Sequence, residues 1–161
     1  MLQRCSEYDK VVKSYWVIKM VDYRKDAHTV YDIKYHIVWV TKYRYPILKG
    51  AIGYRLRDLL KQGCEAMGIA VVQGNITTDH VHMLLSCPTS IAPSKVVQYL
   101  KGRSSKLIQD EFPELKKKYW GQHLWARGYF CATVGSITEE MIKEYIANQG
   151  KDEEDTFKVT E

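Results

Sequence analysis

Between residues 33 and 67 the spacing of apolar side chains changes period, and that change constrains the fold more than any other feature. In "YDIKYHIVWVTKYR", Ile33, Tyr35, Ile37 and Trp39 alternate with Lys34, His36, Val38 and Val40. A period of two in β-branched and aromatic residues predicts a strand. From Ala51 to Met67 the apolar positions Ile52, Leu56, Leu59, Leu60 and Cys64 recur at three and four residues. That spacing predicts an amphipathic helix, with Gly68 as its stop. "IAVVQGNI" and "HVHMLLS" follow as two short strand-like runs joined by Thr77-Thr78-Asp79, a hairpin signature. Pro93 opens a second helix with an apolar stripe through Val96, Val97, Leu100, Leu107 and Ile108, and Phe112-Pro113 ends it. "YFCATV" predicts another strand. Ser136 with Glu139 reads as a capping box for a last helix from about Ile137 to Gln149, with Gly150 as its stop.

The resulting order, β-α-β-β-α-β-α, fits an α+β ferredoxin-like (split βαβ) fold. Such a fold has an antiparallel sheet, helices on one face and an additional C-terminal helix. At 161 residues the chain is the length of one domain. The boundaries expected are an unassigned N-terminal extension over 1–30, the domain itself over 31–150 and an acidic tail over 151–161. Within the extension, Tyr15-Trp16-Val17-Ile18 is a candidate extra strand. No apolar run approaches the roughly 20 residues needed to span a bilayer, and the first twenty residues lack the apolar core of a secretory signal. A cytoplasmic protein with no membrane partner is expected. Cys5, Cys64, Cys87 and Cys131 form no C-x-x-C pair, which predicts thiols rather than a zinc knuckle or a disulfide frame.

Net charge is +5, unevenly spread. The last eleven residues hold two lysines and five acids, leaving 22 basic and 14 acidic residues, or +8, for 1–150. Either a polyanionic partner or plain solubility accounts for such an excess.

His80 and His82 stand at alternate positions of an apolar run. On a strand, residues i and i+2 share a face about 7 Å apart along the chain, so both imidazoles would project together and Val81 would turn away. Such a pair can chelate a cation, donate hydrogen bonds to a phosphate, or be two strand histidines satisfied by ordinary hydrogen bonds. Asp79 is either an orienting partner of one imidazole or the turn residue of the hairpin. On the last helix, Tyr145 and Gln149 lie four residues apart on one face, beside the stripe formed by Ile142 and Ile146. By spacing alone they read as an edge tyrosine and a last-turn polar residue rather than as site residues.

Four stretches in order then resemble a known family. "YHIVWVTKYRYPIL", "TTDHVHMLLS", "YLKGRSSKLI" and "LWARGYFCATVGSITEEMIKEYIANQ" are similar to the single-tyrosine transposases of the insertion sequence 200/605 group, members of the wider His-hydrophobic-His endonuclease class. The match covers roughly residues 31–150. Residues 1–30 have no counterpart, and Thr78 stands where the family often has proline. The resemblance implies a prokaryotic homodimer, with active sites that can be shared between subunits, that cuts and rejoins single-stranded or hairpin DNA. It implies that Tyr145 is the nucleophile, that His80 and His82 are catalytic ligands of Mg²⁺ or Mn²⁺, and that Gln149 is the third protein ligand. The imidazole pair would face an open, charged site at the sheet surface. Candidate DNA contacts are Lys42 and Arg44 where the first strand ends, Lys95, Lys101, Arg103, Ser104 and Lys106 on the second helix, and Lys117 and Trp120 in the basic aromatic stretch. The alternatives carried forward are a non-catalytic single-stranded nucleic-acid-binding domain, a domesticated repeat-processing relative, and a small-nucleotide phosphoesterase built on the histidine pair alone.

Overall fold

Period-two alternation does form the central strand, and its two faces end up in different environments. The computed structural model describes residues 23–135 and 138–149 and the backbone of 156–157. The candidate strand at residues 15–18, Ser136 and most of the acidic tail lie outside the described residues. The chain divides into two units at Asp32 and Ile33. In the first, β1 (Arg24–Asp26) and β2 (Thr29–Tyr31) make a small antiparallel hairpin. The boundary expected at residue 30 falls inside β2.

The second unit contains β3 (Lys34–Val40), α1 (Gly50–Ala66), β4 (Ala70–Ile76), β5 (His80–Ser86), α2 (Pro93–Glu111), α3 (Pro113–Lys118), β6 (Phe130–Val134), α4 (Glu139–Asn148) and β7 (Thr156–Phe157). The strands pair in the order β6-β3-β5-β4-β7, and every neighbouring pair is antiparallel. Leaving aside the two-residue β7, this is the ferredoxin-like sheet that the element order predicted. None of the helices among the described residues is long and apolar enough to cross a membrane.

One face of the sheet carries the main core. Ile37, Trp39, Val81, Met83 and Leu85 project from β3 and β5, and α1 and α2 cover them with Leu56, Leu60, Val97, Leu100 and Ile108. The two helices pack closely at Gly63, where an added Cβ would stand 2.8 Å from Leu100 Cδ2. The opposite face holds a smaller cluster, in which Ile146 and Ile142 of α4 lie on Leu84, Val134 and Val72. Cys64 and Cys87 are buried free thiols and Cys131 is half-buried. Burial, reinforced by the nearby Cys87, pushes the Cys64 thiol up to about 12.

Three details differ from the sequence reading. The stretch "PELKKK" forms α3, whose three lysines occupy the last turn, where the helix dipole favours cations. Leu107 is only partly buried, and Ser104 takes the stripe position instead, 1% exposed. Ser104 Oγ donates to Leu100 O (2.6 Å) and accepts from Trp125 Nε1 (3.0 Å). A serine so enclosed cannot reach a DNA phosphate, which corrects its expected role. Its neighbours are also committed to the fold. Lys101 Nζ donates to Ala126 O (2.8 Å) and Gly128 O (2.9 Å), and Arg103 Nη1 donates to Leu59 O (3.0 Å) on α1. These two cations are engaged by helix and loop carbonyls of other elements.

Ser104→Ala should therefore cost about 1–3 kcal/mol of stability, the penalty for orphaning the buried Trp125 N–H. Urea denaturation measures this loss, and DNA affinity of the folded variant should stay at the wild-type level.

Candidate active site

The second face of the sheet is where the chemistry-bearing side chains collect. His80, His82 and Leu84 alternate on that face of β5, while Val81 and Met83, both 0% exposed, point into the main core. The ring centroids of His80 and His82 are 4.9 Å apart. Helix α4 crosses over them because Ile142 and Ile146 bury themselves on Leu84 and Val134. Tyr145, one residue before Ile146, consequently sets its ring edge-on to His82 at 5.8 Å and to His36 at 6.1 Å.

Polar contacts hold both ends of α4. At the start, Glu139 is bridged by Lys34 of β3 (2.9 Å) and by Lys143 (2.9 Å). Burial raises the Glu139 carboxyl, but hydrogen bonds from Lys143 and Lys34 outweigh it and hold it below its usual value. Ser136, the other half of the expected capping box, lies outside the described residues. The helix begins at Glu139 with Thr138 as N-cap and no side-chain cap, and the Glu139 carboxylate is spent on the two lysines. At the far end, Asn75 Nδ2 donates to Gln149 O (2.9 Å). Asn75 is the cross-strand partner of His82, so this bond ties the helix end beside the histidine strand. The helix stops at Asn148 and Gln149 is its extended C-cap, one residue short of the predicted end.

His80 is oriented by its neighbours. Its Nδ1 lies 2.6 Å from Asp79 Oδ1 and 2.6 Å from Thr77 Oγ1. A carboxylate only accepts, so Nδ1 carries the proton and Nε2 presents a lone pair. Asp79 Oδ2 in turn accepts from Arg44 Nε (2.8 Å), and its backbone carbonyl accepts from Thr41 N (2.8 Å). Burial raises the Asp79 carboxyl, and bonds from His80 and Arg44 more than offset that, holding it below its usual range. Asp79 is thus both turn residue and orienting partner. Tyr43 and Arg44 adopt left-handed backbone (φ 62° and 53°), a conformation costing about 1–3 kcal/mol per non-glycine residue, in the turn that aims Arg44 at Asp79.

His82 is buried at 4% exposure, which corrects the expectation of an open site at the sheet surface. The cause is α4, which covers this face within the same chain. His82 Nδ1 lies 3.2 Å from His36 Nε2, and the two rings stack at 5.5 Å and 17°. Burial, then the positive charge that His80 and His36 can carry, push the His82 imidazole down to about 4. Burial likewise lowers His36. Sequence reasoning missed His36, although it occupies the same alternating face as Lys34 and Val38. Its role becomes visible only once Val38 is known to pair with His82.

The Nε2 atoms of His80 and His82 and the Tyr145 hydroxyl make no hydrogen bond among the described residues. Nor do the described residues hold any cluster of three or more His, Cys, Asp or Glu side chains arranged for a metal ion. A cation held here would need two imidazole lone pairs and a donor of another kind, a requirement that an amide oxygen fits.

Of the remaining candidate DNA contacts, Lys95, Lys106 and Lys117 are exposed and Trp120 is 88% exposed. Trp120 sits with Lys116, Lys117 and Lys118 around a shallow depression. Lys42 Nζ lies over the Tyr43 ring at 5.1 Å.

The second unit is thus an α+β domain with paired strand histidines beside a helix-borne tyrosine. The chain belongs to the family described as "Transposase IS200 like", whose profile matches residues 29–149. It is 35% identical over 134 residues to the ISDra2 transposase TnpA of Deinococcus radiodurans, covering 83% of this chain and 96% of that protein. It is 37% identical over 130 residues to the transposase for insertion sequence element IS200 of Salmonella typhimurium, covering 81% and 85%. A crystal structure of a Deinococcus radiodurans R1 protein described as a transposase aligns with a TM-score of 0.66 at 34% identity, over 78% of this chain and 97% of that one. A REP-associated tyrosine transposase bound to a REP hairpin aligns with a TM-score of 0.55 at 14% identity, over 79% and 70%, a likeness of fold. A transposase acting on DNA is therefore the function class of this chain.

The His82 shift carries a pH consequence. Its folded value of about 4 lies below the ordinary 6.5. Between those values the unfolded chain binds a proton that the native state refuses, so stability is full above 6.5 and falls as the pH drops toward 4. The depressed Asp79 carboxyl acts at lower pH. Urea midpoints measured in chelator should decline from pH 7 to pH 4.5, and the decline should be shallower in His82→Gln.

Proposed function

We propose that this chain cuts and rejoins single-stranded DNA at insertion-sequence ends through a 5′-phosphotyrosine intermediate, and that it recognises those ends as hairpins. The observation that carries this reading is the packing of Tyr145 against His82 and His36, its hydroxyl making no hydrogen bond among the described residues. Tyr145 Oη attacks the phosphorus, the P–O3′ bond breaks, and the departing 3′ oxygen leaves as a hydroxyl carrying a proton. A second 3′-hydroxyl then attacks the tyrosyl ester, breaks the P–Oη bond and restores the phenol. The ester conserves the bond energy, so no nucleotide cofactor is consumed.

His80 and His82 would hold Mg²⁺ or Mn²⁺ through Nε2, with Gln149 as third protein donor. The hydrogen bond that His80 Nδ1–H donates to Asp79 supports this, because it fixes the tautomer a cation needs. When bound, the ion would polarise the non-bridging phosphate oxygens and stabilise charge in the transition state. The chain's own residues hold the phenol: Ile142 and Ile146 seat the helix, and Glu139 and Asn75 fix its two ends. The working form is taken as a homodimer. Tyr145 packing on the histidines of its own chain supports active sites completed in cis. Lys42, Lys95, Lys106, Lys117 and Trp120 would track the DNA backbone and stack an unpaired base, while Arg44 acts at the mouth of the site through Asp79.

Covalent trapping on labelled oligonucleotides from both flanks of the gene should give a Mn²⁺-dependent band on a denaturing gel, abolished in Tyr145→Phe. An adduct persisting in Tyr145→Phe would move the nucleophile to another of the twelve tyrosines. DNA affinity should fall steeply between about 50 and 200 mM salt, and Lys106→Ala should reduce the log–log salt slope by roughly one. A flat salt response would rule out a phosphate-dominated interface.

A further inference from the structure

His36 lies in the first of the family-like stretches without a role assigned to it there, yet it is a buried group that touches both halves of the site. Its ring stacks on His82 and meets the edge of Tyr145. Its Nε2 also lies within hydrogen-bonding distance of His82 Nδ1, at 3.2 Å. Two bare nitrogen lone pairs would repel at that distance, so one proton lies between them. With both rings neutral there are two arrangements. In one, His36 Nε2–H donates to His82 Nδ1, and His82 then carries its proton on Nε2. In the other, His82 Nδ1–H donates to His36 Nε2, and His82 keeps a lone pair on Nε2.

The neighbouring imidazole decides which arrangement makes a usable site. Asp79 and Thr77 hold His80 with its proton on Nδ1 and its lone pair on Nε2. The first arrangement would set a donor on His82 beside an acceptor on His80, a pair that cannot together ligate one cation. The second gives two lone pairs on one face. We propose that His36 is a positioning residue that accepts the hydrogen bond of His82 Nδ1–H, so that His82 presents its Nε2 lone pair to the same ligand as His80. His36 thus does for His82 what Asp79 does for His80, with a neutral acceptor in place of a carboxylate. That one proton lies between the two rings follows from the 3.2 Å contact alone, whereas the choice of tautomer and the use of the lone pair for a divalent cation rest on the function proposed above.

The experiment has two readouts on the full-length chain. Nitrogen-15 correlation spectra of the imidazole rings, recorded without metal, report which nitrogen of His82 is protonated. Calorimetric titration with Mn²⁺ alone reports cation affinity. Wild type should show His82 protonated on Nδ1. In His36→Phe, which keeps a ring but removes the acceptor, the proton should move to Nε2 and Mn²⁺ affinity should fall roughly 10–100-fold, the range for losing an outer-shell partner of a metal-bound histidine. His36→Gln, whose Oε1 can accept, should restore most of the affinity, and thermal melts confirm that each variant is folded. A wild-type His82 protonated on Nε2 overturns the proposal, as does His36→Phe binding Mn²⁺ like wild type. A wild type that binds no Mn²⁺ yet shows the Nδ1–H form overturns the cation reading and supports the assignment to His36.

Discussion

The burial of Ile142 and Ile146 on the second face of the sheet is the interaction on which the rest of the site depends. A ferredoxin-like sheet covered on one face by α1 and α2 leaves its other face exposed, and here that face carries lysine, histidine and asparagine side chains. Two isoleucines on α4, resting on Leu84 and Val134, close it. The energy is hydrophobic and non-directional. The placement it enforces is specific, because Tyr145 adjoins Ile146 and can point only toward the histidines that flank Leu84. Lys34 with Glu139, and Asn75 with the Gln149 carbonyl, then fix the helix along its axis.

That cover changes the chemistry beneath it. Imidazoles on a bare sheet surface would titrate near the ordinary range and turn their nitrogens to water. Under α4, His82 is driven far below that range and keeps its neutral form. Each histidine is then oriented by a different device. His80 has the carboxylate of Asp79, itself held by Arg44 from the strained turn after β3. His82 has the ring of His36. A site that must offer lone pairs in a fixed direction is well served by neighbours that occupy the Nδ1 side of each ring.

The family and the fold follow from the same facts. The IS200-like transposase profile spans residues 29–149, from β2 to the C-cap of α4, and so encloses every element that builds the site. The basic excess of the chain is not a single surface. Lys101 and Arg103 are tied to backbone carbonyls, whereas Lys95, Lys106 and Lys117 stay exposed around the helices. Positive charge in the sequence therefore overstates the charge available to DNA, because a cation bonded to backbone carbonyls of other elements contributes to folding first.

Local periodicity determined a good deal. The strands β3 to β6, the helices α1 and α2, the hairpin carrying His80 and His82, and the apolar stripe of α4 were all legible, since alternation at two and recurrence at three and four residues are written in neighbouring side chains. Ser104 was misread because a small polar residue inside a stripe looks like a surface residue until its partner, Trp125, is known. Lys101 and Arg103 looked free for the same reason, as the carbonyls they bind come from other elements. His36 and Asn75 were invisible as site residues. Their relation to His82 exists only through the pairing of β3 and β4 on β5, with Val38 and Asn75 opposite His82. The sequence by itself specified which side chains share a face of each element. Only the tertiary structure decided which faces meet, because strand register and helix docking are settled by contacts between residues up to a hundred or so positions apart.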